Sequence, residues 1–212
     1  MTRLDRRQPR RLSEAPRRRE TETVVSVAPQ VVAVSVVADD LEVMIRPADQ
    51  PGDLGWVVMA HGEVYAEQFG WDRSFETLVA QIVADFAVGH DERREAAWIA
   101  ELDGRRVGCV FCVAGDVPAV AKLRILLVAP EARGHGVGRR LVDECLQFAE
   151  TAGYRQVTLW TNDVLTSARR IYEAAGFTLT DQAPHHSFGH DLVGQTWAVD
   201  LPRGAGPTGP AA

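Results

Sequence analysis

The segment that most constrains the fold of this chain runs from Leu123 to Leu141 and reads LRILLVAPEARGHGVGRRL. Its apolar start is typical of a strand that ends at Pro130, and glycines at 134, 136 and 138 then precede an amphipathic pattern typical of a helix. Such glycines let backbone N–H groups approach an anion, which the positive end of the helix dipole also favours. The segment therefore predicts a strand, a phosphate-binding loop and a helix, with a pyrophosphate as the natural ligand.

Composition and charge narrow the class of protein. With 212 residues, 46% hydrophobic and 25% charged, the chain is typical of one globular domain with a tail. Residues 1–20 hold eight Arg against three acidic residues, a net charge of +5, so the other 192 residues carry −11 of the total of −6. Because phosphate neutralisation needs a dense basic face, this acidic body argues against nucleic acid as a partner of the folded domain.

The first 40 residues are predicted to form a disordered tail, Arg-rich and then Val-rich. The Val-rich part, Thr23 to Ala38, is interrupted by Pro29 and is shorter than the roughly 20 apolar residues that span a bilayer, so no membrane partner is expected. A targeting or polyanion-binding role for this tail is the alternative. We predict the folded domain over 41–202 and a frayed Gly/Pro-rich end over 203–212.

The three cysteines indicate thiols rather than a metal site. Cys109 and Cys112 lie three apart in an alternating strand pattern, so their side chains should point to opposite faces of a sheet and cannot share a zinc ion. With Cys145 they are expected to be buried free thiols in a reducing compartment, which favours a cytoplasmic protein without a metal.

Periodicity and turn residues predict the order of elements along the chain. We expect the following: a strand at 41–46, helices at 52–69 and 74–88, a hairpin of 97–102 and 105–113, a strand at 120–128, a helix at 137–151, a strand at 156–160, a helix at 166–175 and a last strand at 196–201. Asp103-Gly104 suits the tight hairpin turn, Ser74 is the expected N-cap of the second helix, and Gly62 is a candidate break in the first.

Three known kinds of loop compete for the glycine segment, beside a tight turn that binds no ligand. A Rossmann loop would use Asp163 as its downstream acid, but its spacing is G-x-G-x-x-G whereas this chain has G-x-G-x-G. A Walker A loop ends in Gly-Lys-Ser/Thr, and Gly138 is followed by Arg139 and Arg140. The third kind is a loop that binds the pyrophosphate of coenzyme A.

Two motifs at this point resemble the GNAT superfamily of N-acetyltransferases. Arg133 to Gly138 matches the family signature Arg/Gln-x-x-Gly-x-Gly/Ala, and Ala168 to Phe177 resembles its A-x-x-x-Y-x-x-x-G-F helix at the customary distance downstream. With the order of elements, the resemblance extends over roughly 43–201. Three longer runs are most similar to acetyltransferase domains fused to MarR-type regulators, but only about 40 residues precede the domain here, so we expect it to stand alone.

The resemblance implies a fold, a cofactor and a set of site residues. It implies an α/β fold with a mixed, largely antiparallel central sheet, helices on both faces, and acetyl-CoA bound in a cleft where the strands part after Val128. Tyr172 would be the general acid beside the coenzyme A sulfur, and the amine would attack the thioester directly without a metal. The implied cofactor-binding residues are Leu126, Leu127, Val128, Arg133, Gly134, His135, Gly136, Val137, Gly138, Arg139 and, less directly, Asn162.

Two departures from the family pattern leave the mechanism open. Leu165 stands where many relatives carry Asn, with Asn162 three residues earlier, and the stretch 120–124 lacks the Glu that serves many relatives as general base. The candidate bases elsewhere are His61, Glu63, Tyr65, Glu67, His185, His186 and His190. His135, between two glycines, is expected to be a surface side chain.

The resulting hypothesis is an acetyl-CoA-dependent N-acetyltransferase that acts on a small-molecule or peptide amine. The acidic balance favours cationic acceptors such as polyamines, aminoglycosides or lysine side chains. A homodimer is an assembly that the resemblance leaves open. The alternatives are a non-catalytic acyl-CoA sensor, motivated by the missing Asn and Glu, and a dinucleotide-binding oxidoreductase.

Overall fold

A computed structural model of the chain describes residues 42–202, so our predictions for 1–40 and 203–212 lie outside the described residues. Its elements are β1 (Val43–Pro47), α1 (Asp53–Phe69), α2 (Arg73–Gly89), β2 (Ala96–Leu102), β3 (Arg105–Ala114), β4 (Val120–Val128), a 3-10 turn (Pro130–Ala132), α3 (Val137–Thr151), β5 (Gln156–Asn162), α4 (Thr166–Ala174), β6 (Thr178–Ser187) and β7 (His190–Asp200). Over this part of the chain, no helix is both long and apolar enough to cross a membrane.

One sheet of seven strands organises these elements. Its order is β1-β2-β3-β4-β5-β7-β6, and β4 and β5 form its parallel pair, while the other neighbours run antiparallel. The α3 and α4 helices contribute to the apolar cluster on one face, and α1 and α2 pack on the other. The predicted class, an α/β protein with a mixed, largely antiparallel sheet and helices on both faces, is confirmed.

The cysteines follow the alternation of β3. Cys109 belongs to the cluster on the α1/α2 face, whereas Cys112 and Cys145 belong to the cluster on the α3/α4 face. All three are buried free thiols, as predicted. Burial raises the pKa of the Cys109 thiol well above its ordinary value, so this group stays protonated and packs as a small apolar side chain.

Most predicted helices and turns are present, with two local corrections. The α3 helix has the predicted bounds, and the hairpin turns through Asp103 and Gly104 with φ of 52° and 72°. Ser74 was the wrong N-cap: Asp72 holds that position and accepts a hydrogen bond of 2.9 Å from the Ser74 N–H. Gly62 does not break α1, which runs without interruption from Asp53–Phe69.

The β6 strand was not predicted, and the last strand begins six residues earlier than expected. The residues of β6 are nearly all exposed, and the strand pairs along one edge with β7. An edge strand with no buried face has no apolar alternation to detect, and Pro184 argues against a strand unless it lies at an edge. His185 and His186 therefore lie in β6, and His190 begins β7, whereas the predicted elements left all three in the connection between 175 and 196.

The strands that frame the site separate earlier than predicted. Pairing of β4 with β5 is confined to Val120–Leu123 and Gln156–Leu159, so the two strands part after Leu123 and not after Val128. The register of β4 against β3 shifts at the same place, where Ile125 has a φ of 44°. A bulge of this kind bends a strand, which opens the gap on its β5 side.

Candidate active site

The loop before α3 leaves backbone N–H groups available to an anion. Gly134 and Gly136 have φ of 84° and 73°, a region that favours glycine. A Cβ at either position would meet nothing within 4 Å, so the backbone conformation rather than crowding explains these glycines. Gly136 is the N-cap of α3, no side chain caps it, and no acidic residue lies in the first turn of α3. The first N–H groups of the helix are thus free to bind an anionic ligand.

The third glycine has a different role. A Cβ on Gly138 would lie 2.6 Å from Cδ1 of Ile171 in α4 and 3.3 Å from Cγ2 of Val128 in β4. Gly138 therefore allows α3 to pack closely against α4 and the end of β4. This packing holds the glycine loop beside the helix that carries Tyr172.

A cavity of about 510 Å³ opens over this loop, and we call it the loop cavity. It is lined by the C-terminal half of α1, the end of β4, the loop and the start of α4. Nine of the predicted cofactor residues line it: Leu126, Leu127, Val128, Arg133, Gly134, Gly136, Val137, Gly138 and Arg139. His135 does not, because its Nδ1 turns back to the Arg133 carbonyl at 3.1 Å and its side chain is exposed. A guanidinium N–H of Arg133 donates to Gln68 Oε1 at 2.7 Å, which ties the loop to α1.

A second cavity of about 520 Å³ lies on the α1/α2 face, and we call it the sheet cavity. Its walls are α1, α2, α4 and the part of β4 and β5 around the point where the strands separate. Four residues line both cavities: Tyr65, Leu126, Leu165 and Ala168. The two cavities therefore meet beside the gap between the strands.

Tyr172 lies in α4 and lines the sheet cavity. Its side chain is buried, and burial, with the nearby Tyr65 as a further cause, raises the pKa of its hydroxyl well above the ordinary value. Burial also raises the pKa of Tyr65 to about 12. Both phenols are therefore protonated at neutral pH and can donate a hydrogen bond, Tyr65 to either cavity and Tyr172 to the sheet cavity.

His61, one of the seven candidate bases, is a buried polar side chain of α1. It is 1% exposed, and its Nδ1 donates to the Val57 carbonyl at 2.8 Å. Its Nε2 is buried without a hydrogen-bond partner, in a residue that lines the sheet cavity. Burial lowers the pKa of His61 to about 4, so the imidazole is neutral near pH 7 and its Nε2 can accept a hydrogen bond.

Asn162 lines the sheet cavity rather than the loop cavity. Its Oδ1 accepts a hydrogen bond from His185 Nε2 at 2.8 Å, and His185 Nδ1 lies 2.9 Å from Ser187 Oγ. These hydrogen bonds link β5 to the edge strand β6. Asn162 therefore does not join the nine predicted cofactor residues that line the loop cavity.

The remaining candidate bases lie outside both cavities. Glu63 and Glu67 line neither cavity, although both lie on α1. His186 contacts Asp191 at 2.7 Å on the exposed hairpin, and His190 donates to the Gly70 carbonyl at 3.1 Å. Of the seven candidates, His61 and Tyr65 line the sheet cavity directly.

Sequence reasoning missed two side chains that the sheet cavity contains. The sequence pattern showed only that the stretch 120–124 lacks a Glu, but Lys122 and Arg124 of this stretch both line the cavity from β4. The signal was the alternation of the strand, in which Ala121 and Leu123 are buried while Lys122 and Arg124 are half-buried. The two cations therefore share the cavity face of β4.

The structure thus combines an α/β fold with two adjacent cavities beside a pair of separating strands. Comparison with known proteins then places the chain in a family. The model of the acetyltransferase (GNAT) family matches residues 56–177, and the chain belongs to this family.

Individual relatives agree with this family. The chain is 31% identical over 121 residues to human N-acetyltransferase 8B, covering 55% of this chain and 53% of that protein. It is 30% identical over 125 residues to an uncharacterized N-acetyltransferase of Schizosaccharomyces pombe, covering 58% and 75%. Thus the chain spans about half the length of the human relative. Among solved structures, yncA from Salmonella typhimurium, solved with its cofactor acetyl-CoA, has a TM-score of 0.62 at 18% identity over 78% of this chain and 97% of that one. That likeness shows the fold.

Proposed function

We propose that the protein is an acetyl-CoA-dependent N-acetyltransferase that transfers an acetyl group to a primary amine by direct attack. The observation that carries the proposal is the meeting of the two cavities beside the gap between β4 and β5, with the protonated Tyr172 on one wall. A donor in one cavity and an acceptor in the other would meet there without a covalent enzyme intermediate.

The loop cavity is the proposed donor site. The N–H groups from Arg133 to Arg139 would bind the pyrophosphate, with the guanidinium of Arg133 or Arg139 adding charge. Leu126 to Val128 would offer main-chain groups to the pantetheine arm and an N–H to the thioester oxygen. Acetyl-CoA supplies the activated thioester, and the residues of this chain hold and orient it.

In the proposed reaction Tyr172 acts as the general acid. The amine nitrogen bonds to the acetyl carbon, the carbon–sulfur bond breaks, and the Tyr172 hydroxyl donates its proton to the departing thiolate. The nitrogen loses a proton to solvent, and a solvent proton returns to Tyr172. His61 is suited to accept a hydrogen bond from the neutral amine, since a pKa of about 4 is too low for it to deprotonate an ammonium group efficiently.

A thiol-release assay with acetyl-CoA tests this function across amino acids, polyamines, aminoglycosides and peptides. We expect turnover of at least one amine, and in Tyr172→Phe a fall in kcat of about 100-fold or more, the usual contribution of a general acid. The affinity for acetyl-CoA, measured by calorimetry, should change little.

Tyr154→Phe is the matched control, because this buried tyrosine bonds to the Arg94 carbonyl at 3.0 Å and lines neither cavity. It should keep the wild-type kcat. Acetyl-CoA binding without thiol release for any amine would replace the transferase with an acyl-CoA sensor. Turnover unchanged in Tyr172→Phe would refute the role of the tyrosine.

A further inference from the structure

The sheet cavity has an unexpected charge. Among its lining residues, all within 42–202, there are two cations, Lys122 and Arg124, and no Asp or Glu. This contrasts with the overall acidity of the chain. The local charge of a cavity, rather than the net charge of a protein, selects a ligand at close range, because ionic screening shortens the reach of distant surface charges to about 10 Å.

The two cations differ in how they are compensated. Lys122 Nζ pairs with Asp116 at 2.8 Å. Arg124 forms no ion pair and no side-chain hydrogen bond within the described part of the chain, although it is half-buried. Asp85 of α2 acts on it only as a more distant charge, and burial is the larger influence, lowering the pKa of Arg124. A partly desolvated guanidinium without a partner is suited to bind an anion in two-point fashion.

The other walls of the cavity are apolar and aromatic. Trp71, Phe75, Leu78 and Ile82 contribute from the α1/α2 side. On the sheet side Trp160 lines the cavity and is 52% exposed. Its indole lies directly on Gly194 of β7, where a Cβ would stand 2.7 Å from Cζ2 of the ring. A large exposed ring held flat in this way is a surface for an apolar or aromatic group.

We propose that the acceptor is an α-amino acid with an apolar, preferably aromatic, side chain, and that Arg124 binds its carboxylate. This inference rests on the proposed transferase function. Arg124 lies two residues before Leu126, which lines both cavities, so a carboxylate bound at Arg124 is close to the meeting point of the cavities. The α-amino group would then lie near that point, and Trp160 would contact the side chain. The cavity does not support the polycationic acceptors favoured by the overall charge.

The test compares L-phenylalanine with L-phenylalaninamide and phenethylamine in the thiol-release assay. These amines share the aromatic group and differ in the carboxylate. We expect kcat/KM to be about 10- to 100-fold higher for phenylalanine than for its amide, the range for a hydrogen-bonded charged pair. In Arg124→Gln the ratio of the two kcat/KM values should fall about 10- to 100-fold from its wild-type value, whereas Arg124→Lys should keep part of the preference. Arg93→Gln, at an exposed position outside both cavities, should leave it unchanged.

A binding experiment separates this proposal from the proposed function. Calorimetry with coenzyme A bound should show that N-acetylphenylalanine binds more tightly than its amide. This preference should be lost in Arg124→Gln. If acetyl-CoA binds and no amine turns over, the transferase function fails, while the binding preference still decides the ligand class. The proposal would be overturned by equal kcat/KM values and affinities for acid and amide, or by a preference for the acid that survives Arg124→Gln. It would also be overturned if the acids showed no detectable binding and no turnover.

Discussion

Replacing Gly136 with Ala tests whether the glycine loop holds an anion or only turns the chain. The new methyl group would enter open space beside the loop cavity, but the residue would have to keep a φ of 73°. That conformation costs a non-glycine residue roughly 1 to 2 kcal/mol. For a domain of this size we expect the melting temperature to fall by about 2 to 8 °C.

Gly153→Ala is a matched control for the backbone penalty. Gly153 has a φ of 83°, a Cβ there would also meet nothing within 4 Å, and it follows the far end of α3. Fifteen residues of helix separate the two sites, a distance of about 22 Å. Both variants should therefore lose similar stability for the same reason.

Only Gly136→Ala should weaken acetyl-CoA binding. A methyl group in the loop would keep the pyrophosphate from one or more N–H groups, and each charge-assisted hydrogen bond contributes about 1.5 to 3 kcal/mol. We expect the dissociation constant measured by calorimetry to rise about 10-fold or more, against less than 2-fold for Gly153→Ala. Equal dissociation constants in the two variants would refute the assignment of this loop to the pyrophosphate.

Two further predictions concern stability. Asp53→Asn should lower the free energy of unfolding, measured by urea titration, by about 3 to 5 kcal/mol, because the buried carboxylate pairs with Arg46 and Arg106 at 2.7 Å each. Asp116→Asn, which removes an exposed ion pair with Lys122, should cost less than about 1 kcal/mol in the same titration. Those arginines hold the pKa of Asp53 below its ordinary 3.8, so the carboxylate stabilises the fold at neutral pH and this stabilisation is lost as the pH falls through and below that value. If Asp53→Asn lost stability with falling pH as the wild type does, this explanation would be wrong. For His61 the folded pKa of about 4 lies below the ordinary 6.5, so protonation favours the unfolded chain and stability should fall by about 3 kcal/mol from pH 7 to pH 4. His61→Gln should flatten this slope and exposed His135→Gln should not; a slope unchanged in His61→Gln would show that another group causes it.

The parts of the molecule with strong local signals were predictable. The α3 helix, the hairpin at Asp103-Gly104 and the glycine loop each have a sequence pattern that one local structure satisfies, and their bounds agree closely with the structure. The β6 strand could not be found this way, since its stability comes from pairing with β7 and its side chains bury almost nothing.

The candidate site was predictable on one side only. The end of β4 and the glycine loop follow one another in sequence, and this segment supplies the nine of the eleven residues assigned to the cofactor that line the loop cavity. The sheet cavity is assembled from α1, α2, β4, β5 and α4, so tertiary packing decides which side chains meet. The separation of β4 from β5 at Leu123 depends on a bulge at Ile125. No glycine or proline at this position indicates a bulge in the sequence.

A crystal structure with bound coenzyme A would show directly whether the sulfur lies beside Tyr172. We predict the pyrophosphate on the N–H groups of residues 133–139, the pantetheine arm along the end of β4, and the sulfur within hydrogen-bonding distance of the Tyr172 hydroxyl. A pyrophosphate bound elsewhere would refute the proposed donor site. A sulfur that lies in the loop cavity without contacting Tyr172 would refute the proposed general acid.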